Sequence, residues 1–252
     1  MFGTGIIEGL VTAGILSLSK GMTAIRLHAF ALTHGNREVR ISFSTLLRVR
    51  NGQNYLLIRN NRRREQFGPI GGVNKYYDSA IRFLDSVCFR PQVVAKEMEY
   101  DLRGFLPSKH LPKLVDWYLQ KQDCENSDTS LRREIKEELS EMGISSIQVP
   151  DDMDFQAVRI IWEGPRQVPG LGYNQFRLFH IFDIRPNSNS SKTFLEDLWC
   201  AGGDSQNLLI VTPQEILQGR SSNSTLIGSL SEYLFHSRLS RPDGPAFVTP
   251  IK

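Results

Sequence analysis

The residues with the strongest chemical potential lie in Ser130–Ile144, SLRREIKEELSEMGI. On an ideal α-helix, turning about 100° per residue, Leu131, Ile135, Leu139 and Met142 form one apolar stripe. Glu134, Glu137, Glu138 and Glu141 gather beside it within an arc of roughly 100°. Arg133 lies one turn before Glu137 and is placed to pair with that carboxylate. Stacking like charges costs a helix about 0.2–0.5 kcal/mol per i,i+4 pair, so a purpose has to be sought. One reading is a plain solvated face, which the helix alone favours. The other is a site for a hard divalent cation, Mg²⁺ with Mn²⁺ as a substitute, because such ions take carboxylate oxygens together with substrate phosphates.

The elements around this helix must position it. The chain has 252 residues, 40% of them apolar, with a formal charge of +3. That length buries a substantial core without staples, and the mild charge does not argue for nucleic acid. Cys88, Cys124 and Cys200 stand far apart in no CxxC spacing, which fits a reducing compartment, by default the cytoplasm, better than a disulfide framework or a cysteine zinc site. The five histidines show no ligand spacing, and His180 reads as a core or edge residue of a strand. At the N-terminus, Glu8 and Lys20 bracket an uncharged run of eleven residues, short of the roughly 18–20 needed to span a bilayer. The segment has two readings: a helix packed on the domain or on a second copy as a homo-oligomer contact, and a membrane-associated segment.

Val39, Ile41 and Phe43 alternate with polar neighbours, NGQ supplies a turn, and YLLIR is a compact apolar run, so residues 37–63 read as paired strands. The basic loop and GPIGG follow. YYDSAIRFLDSVCF and HLPKLVDWYLQKQ have helical spacing, the second with Leu114, Trp117 and Tyr118 on its apolar side. The glutamate-rich helix is expected over about 127–142. DFQAVRIIW and YNQFRLFHIFDI read as strands, PNSNSSK as a polar loop, and NLLIVTPQEILQG as a strand, a Thr N-cap, Pro at the first helical position and a Gly stop. STLIGSLSEYLFHSRL is expected to close the fold as a helix. The tail from Arg241, with three prolines in 12 residues, is expected to order only by docking.

Reading outward from the helix, Glu125 is followed by seven intervening residues and then Arg-Glu-Ile-Lys-Glu-Glu, beginning at Arg133. This resembles the Nudix hydrolase signature: a Gly, a Glu, seven residues, then Arg-Glu-aliphatic-any-Glu-Glu. The strand, basic loop, GPIGG turn, glutamate helix and late VTPQEIL also follow that family's order. Three departures are visible. About fifty residues separate Gly72 from Glu125 where the family has a short spacer. Gly143 is displaced from its usual place after the glutamate pair. The usual Pro-Gly-Gly is Pro69-Ile70-Gly71-Gly72. With HAFALTHGNREVRISFSTLLRV, GPIGGVNKYY and DLRGFLPSKHLPKLVDWY, the chain resembles the SMODS-associated Nudix domain over about Arg26 to Ile184, extending toward Gly219.

The resemblance implies an α/β fold: a Nudix-type α/β/α sandwich with a mixed sheet and a helical insertion between the Gly loop and the catalytic helix. The expected layout is an N-terminal hydrophobic segment over 1–25, the Nudix domain over 26–240 with its insertion at about 73–124, and a tail over 241–252. It also implies metal binding by Glu134, Glu137 and Glu138 with a backbone carbonyl at Gly72, and an orienting role for Arg133. Glu125 has two readings, structural or a carboxylate at the helix N-terminus. A context of bacterial antiphage defence follows from the same resemblance.

Arg59, Arg62, Arg63 and Arg64 crowd the loop before the Gly turn. They read either as surface charge or, with Gly71, as a grip on substrate phosphates, for which Arg is well shaped. Trp162, Tyr173 and Phe176 flank a Gly/Pro loop and read as core aromatics or as a base-stacking surface. A later loop often adds an acid in this fold, and Glu163, Glu196, Asp197 and Asp204 are the candidates. The leading expectation is a Mg²⁺-dependent hydrolase of a nucleoside diphosphate-linked or other nucleotide substrate. The competing one is an inactive sensor of a nucleotide signal. A nucleic-acid partner is disfavoured because basic and aromatic residues are not interleaved.

Overall fold

The computed structural model describes residues 23–61, 65–144, 146–168, 170–236 and 246–250. The two readings of Met1–Lys20 therefore fall outside the described residues. Helix α1 is described from residue 23 and runs to 34. Leu27 and Ala31 are buried on it while Ile25 and Leu32 face outward. Among the described residues, no helix is long and apolar enough to cross a membrane.

Two sheets carry the fold. The central strand β1 (Glu38–Leu47) pairs in parallel with β9 (Asn174–Arg185) and antiparallel with β5 (Ile70–Val73) and β7 (Arg103–Pro107). β8 (Asp154–Gln167) flanks β9 on its other side, and β12 (Ala246–Pro250) adds to β8, so part of the proline-containing tail docks as an edge strand. The second sheet is built on β3 (Asn54–Arg59), which pairs with β2 (Val49–Asn51), β4 (Gln66–Gly68) and β10 (Leu208–Val211). Mixed sheets with helices on both faces make this an α/β fold, the class that the resemblance implies.

Strand alternation sorts side chains into the layers. On β3, Leu56 and Ile58 pack with Leu131, Ile135 and Leu139 of α4 (Ser127–Glu141) and with Phe194 and Leu198 of α5 (Asn189–Asp204). Tyr55 and Leu57 face the other way, onto Ile216 of α6 (Pro213–Gln218) and onto Tyr233. The predicted cap of α6 is present: Thr212 and Glu215 form a reciprocal capping box, and Gly219 ends the helix at φ 72°.

The insertion carries α2 (Ile81–Ser86) and α3 (Leu111–Gln120), and it adds β6 (Arg90–Pro91) and β7 to the main sheet. Leu114, Trp117 and Tyr118 of α3 are buried against Val39, Ile41 and Phe43 of β1. Two expectations are corrected. The closing helix is instead β11 (Leu226–Ile227), paired in parallel with Gln66–Phe67, followed by a 3₁₀ segment at Ser229–Leu234. The polar stretch PNSNSSK, expected to be a loop, supplies Ser188 as N-cap of α5. His180 lies buried on β9, where burial pushes its imidazole pKa down to about 3.

Candidate functional site

Helix α4 begins where Asn126 accepts a hydrogen bond from the Thr129 N–H at 2.8 Å. Its apolar stripe is buried on the sheet, and Ser130 Oγ bonds Thr45 Oγ1 of β1 at 2.9 Å, which fixes its rotation. The glutamates are therefore turned to one side, over β5. The insertion does not push the two halves of the motif apart, because its ends meet. Glu125 N–H donates to the Lys75 carbonyl at 2.8 Å and Tyr77 N–H to the Asp123 carbonyl at 2.9 Å. The fifty-residue spacer thus leaves the Gly turn and the helix as near neighbours, as a short loop would.

Arg133 is the centre of the polar network. It donates to both oxygens of Glu125 at 2.8 Å, to Glu134 at 2.7 Å, to Glu137 at 2.9 Å and to the Val73 carbonyl at 3.1 Å. Burial alone would lower its pKa, but the hydrogen bonds and charges of Glu125 and Glu134 outweigh that and raise it. Glu125 is 6% exposed and also accepts from the Lys75 N–H at 2.9 Å. It acts as a structural clamp that holds Arg133, the first of its two readings.

Glu138 accepts from the Gly71 N–H at 3.2 Å. Burial, and then the charge of Glu134, hold its carboxyl well above the usual carboxylate range. Burial also pushes Glu134 up to about 7; Arg133 opposes this, while Glu137 and Asp101 add to it. Burial and mutual repulsion thus disfavour ionisation of these carboxyls, and a hard cation among them would relieve both burdens.

The Gly turn is shaped to the same purpose. A Cβ on Gly71 would lie 2.2 Å from the Thr45 carbonyl, and its φ of 136° is open to Gly alone. A Cβ on Gly72 would lie 2.2 Å from the Glu134 carboxyl group. Gly71→Ala is expected to destabilise the protein by about 3 kcal/mol or more, from backbone strain and overpacking together. Gly72→Ala should cost less, since the flexible Glu134 side chain can move aside. Urea denaturation of both variants checks this, and equal losses would contradict it.

Gly71, Gly72, Arg133, Glu134, Glu137 and Glu138 line one cleft of about 460 Å³. Its far wall comes from the insertion, including Glu97, Met98, Asp101 and Arg103. Among the described residues no three acidic, His or Cys side chains are gathered closely enough to hold a metal ion as they stand. Glu134 is turned to Arg133, and Glu138 to Gly71. The donor set nevertheless fits a hard cation: carboxylates of raised proton affinity over a turn stripped of Cβ atoms.

The other expected substrate residues are elsewhere. Arg59 points away, donating to the Gln206 carbonyl at 2.7 Å and lying over Phe67. Arg62, Arg63 and Arg64 lie outside the described residues. Trp162 is 6% exposed and packs near Phe176 in the core, because both point inward from their strands. Tyr173 lines a separate polar cleft with His34 and Arg37 and meets Phe105 edge-on. Glu163 is committed to Arg166, Arg177 and Tyr233. Glu196 and Asp197 sit on α5, outside the glutamate cleft. Lys75, Asp101 and Arg103 do line that cleft; they fall in stretches that carry the family resemblance, but neither their types nor their spacing assigned them to the site.

Comparison with protein families matches residues 38–235 to the model described as the SMODS-associated NUDIX domain. The match runs from the first residue of β1 to one residue past the 3₁₀ segment after β11, and so covers the insertion, the glutamate cleft and both sheets apart from the edge strand β12. Neither a search of curated proteins nor one of solved structures returns a match.

Proposed function

The chain belongs to the SMODS-associated Nudix domain family, and from that premise we propose that it is a Mg²⁺-dependent hydrolase of a nucleoside diphosphate-linked or related nucleotide substrate, acting in bacterial antiviral defence. The observation that supports this reading is the placement of Glu134, Glu137, Glu138 and the Gly71–Gly72 turn on one cleft.

Glu134, Glu137 and Glu138 would hold the cation, Mg²⁺ or Mn²⁺, together with the Gly72 carbonyl. When bound, the ion offsets charge on the diphosphate and lowers the pKa of an attacking water. Arg133 keeps Glu134 and Glu137 aimed and does not touch substrate. Lys75 and Arg103, on the same cleft, place positive charge where phosphate oxygens enter. The Gly turn admits the phosphates close to the backbone. ADP-ribose, NAD-like dinucleotides and nucleoside triphosphates are the substrates to screen.

The test is turnover of these compounds with Mg²⁺ or Mn²⁺ and with chelator. Product is expected only with metal. Glu138→Gln should lower turnover by more than the about 10–100-fold typical of losing an outer partner of a metal ligand. Undiminished turnover in that variant would remove Glu138 from the site.

A second reading is favoured by one observation. Arg133 already engages Glu134 and Glu137, an arrangement suited to a cleft that binds a nucleotide signal without cutting it. Tight binding of a cyclic or linear oligonucleotide, with no metal-dependent product from any compound, would select this sensor.

A further inference from the structure

One face of β1 carries Val39, Ile41 and Phe43 into the core, and by alternation the other presents Arg40 and Ser42. Register places partners beside them. Arg40 stands opposite Gln175 of β9 and Phe105 of β7, and Ser42 stands opposite Arg177 and Arg103. On β8, Arg166 continues the first row beside Gln175, and Glu163 continues the second beside Arg177. Residues directly opposite share a face, so Arg40, Arg166 and Arg177 meet there around one carboxylate.

That carboxylate is already shared. Glu163 accepts from Arg166 at 3.0 Å and from Arg177, and its other oxygen accepts from Tyr233 at 3.2 Å. The Nε of both arginines stays buried with no partner among the described residues. Arg40 pairs with no carboxylate among the described residues: its Nε donates to Gln92 Oε1 at 2.9 Å and its Nη1 to Gln175 Oε1 at 3.1 Å, while Nη2 donates to nothing. Burial lowers the Arg40 pKa; Tyr173 opposes this, and the charge of Arg177 adds to it. Glu38, on the same face, is engaged by Arg90. Gln92 comes from the insertion, and its N–H donates to the Arg103 carbonyl at 2.9 Å. Two neutral amides therefore hold the Arg40 guanidinium in place without neutralising it. A partly buried cation beside a second one is costly unless an anion joins them, and the planar fork of Arg suits phosphate oxygens.

We propose that Arg40 and Arg177 form an anion site on this face, distinct from the glutamate cleft, that takes a phosphoryl group. The insertion helps to build it, since Gln92 aims Arg40. Arg103 lines the glutamate cleft and lies two strands from Arg177, about 10 Å at the usual strand spacing, a span that one nucleotide bearing two phosphates can bridge. The phosphoryl group is therefore either a further phosphate of a nucleotide in the cleft or a free phosphate ion. Neither source depends on a cation at the glutamates.

The experiment is binding of inorganic phosphate to the full chain in chelator, by calorimetry and phosphorus NMR, against chloride at matched ionic strength. Wild type, Arg40→Gln and Lys75→Gln are compared, with each fold checked by circular dichroism. Wild type is expected to bind phosphate saturably and Arg40→Gln about tenfold or more weakly, while Lys75→Gln binds it like wild type. No phosphate binding beyond chloride in wild type, or undiminished binding in Arg40→Gln, would overturn the proposal. So would a loss in Lys75→Gln as large as that in Arg40→Gln, which would put the phosphate in the glutamate cleft. If Arg40→Gln does not fold, wild-type crystals soaked in phosphate decide: the ion on Arg40 and Arg177 supports the proposal, and its absence there overturns it. Adenosine 5′-phosphate and adenosine 3′,5′-bisphosphate then separate the two sources. Tighter binding of the bisphosphate, abolished by Arg40→Gln, assigns the site to the nucleotide's second phosphate; equal binding of the two, with phosphate still bound, assigns it to the free ion. Because metal is absent throughout, the proposal can fail while metal-dependent turnover stands, and the reverse.

Discussion

Glu134→Gln in the metal-free protein is expected to raise the free energy of unfolding at pH 8 by up to about 3 kcal/mol, and to change it little near pH 4. The sign follows from the proton. Burial lifts the Glu134 carboxyl from an ordinary 4.5 to about 7, so the folded state holds this proton more tightly than the unfolded chain. That contribution is fully present below about pH 4.5 and is lost as pH rises through about 7. Glutamine carries no charge to bury and keeps its stability throughout. His180, pushed down to about 3 by burial, works the other way, destabilising the fold as pH falls below about 6.5. The difference between wild type and variant isolates Glu134, because His180 is common to both.

A cation should reverse the ranking. Saturating Mg²⁺ stabilises only the protein that binds it, so wild type is expected to gain over Glu134→Gln when Mg²⁺ replaces chelator at pH 8. Urea denaturation at pH 4.5, 6, 7 and 8, with and without Mg²⁺, reads both effects. A variant no more stable than wild type at pH 8 in chelator would mean that Glu134 carries no buried charge. A site whose ligands destabilise the empty protein is what a preformed cation pocket is expected to show.

Much of this site is legible in the sequence because its signals are local. The period of Leu131, Ile135 and Leu139 marks the helix and its buried face, and the spacing from Glu125 to Glu138 marks the motif. The bounds of α4 follow from Asn126 as cap and from Gly143, which takes a φ of 69° just after the last turn. Asp101 is not legible as a cleft residue: DLRGF belongs to a stretch that carries the family resemblance, but only the long-range pairing of Lys75 with Asp101 places it at the cleft. Trp162 departs from a stacking role for a related reason. A loop-flanking aromatic can face either side of a strand, and the register of β8 on β9 sends it inward beside Phe176. Helix α5 is hidden by its Ser- and Asn-rich start and its Gly202–Gly203 end, both poor helix formers. Packing of Phe194 and Leu198 overrides that weak propensity. At the closing segment the reverse holds: Leu226–Ile227 gains a strand partner at Gln66–Phe67, and helical spacing loses.

Arg133→Gln should be the most destabilising change at the cleft, costing about 3–5 kcal/mol near neutral pH. Arg133 and Glu125 are a largely buried pair, with side-chain exposures of 19% and 8%. Removing the cation leaves Glu125 with the Lys75 N–H as its remaining donor, an uncompensated buried charge. The same change frees Glu134 and Glu137 from their common donor, adding repulsion beside Glu138. Because the Arg133–Val73 bond is lost too, the helix is released from the strand that carries the Gly turn. Glu125→Gln should cost less, since an amide can still accept from Lys75 while burying no charge. The double variant should then be more stable than the sum of the two losses predicts, with a coupling above about 1 kcal/mol. Additive losses would show that Arg133 and Glu125 do not act as a unit. Arg133→Lys discriminates further: it restores one charge but not the fork that reaches Glu125, Glu134, Glu137 and Val73 at once. It should recover part of the stability and little of the Mn²⁺ affinity, because aiming the glutamates needs geometry as well as charge.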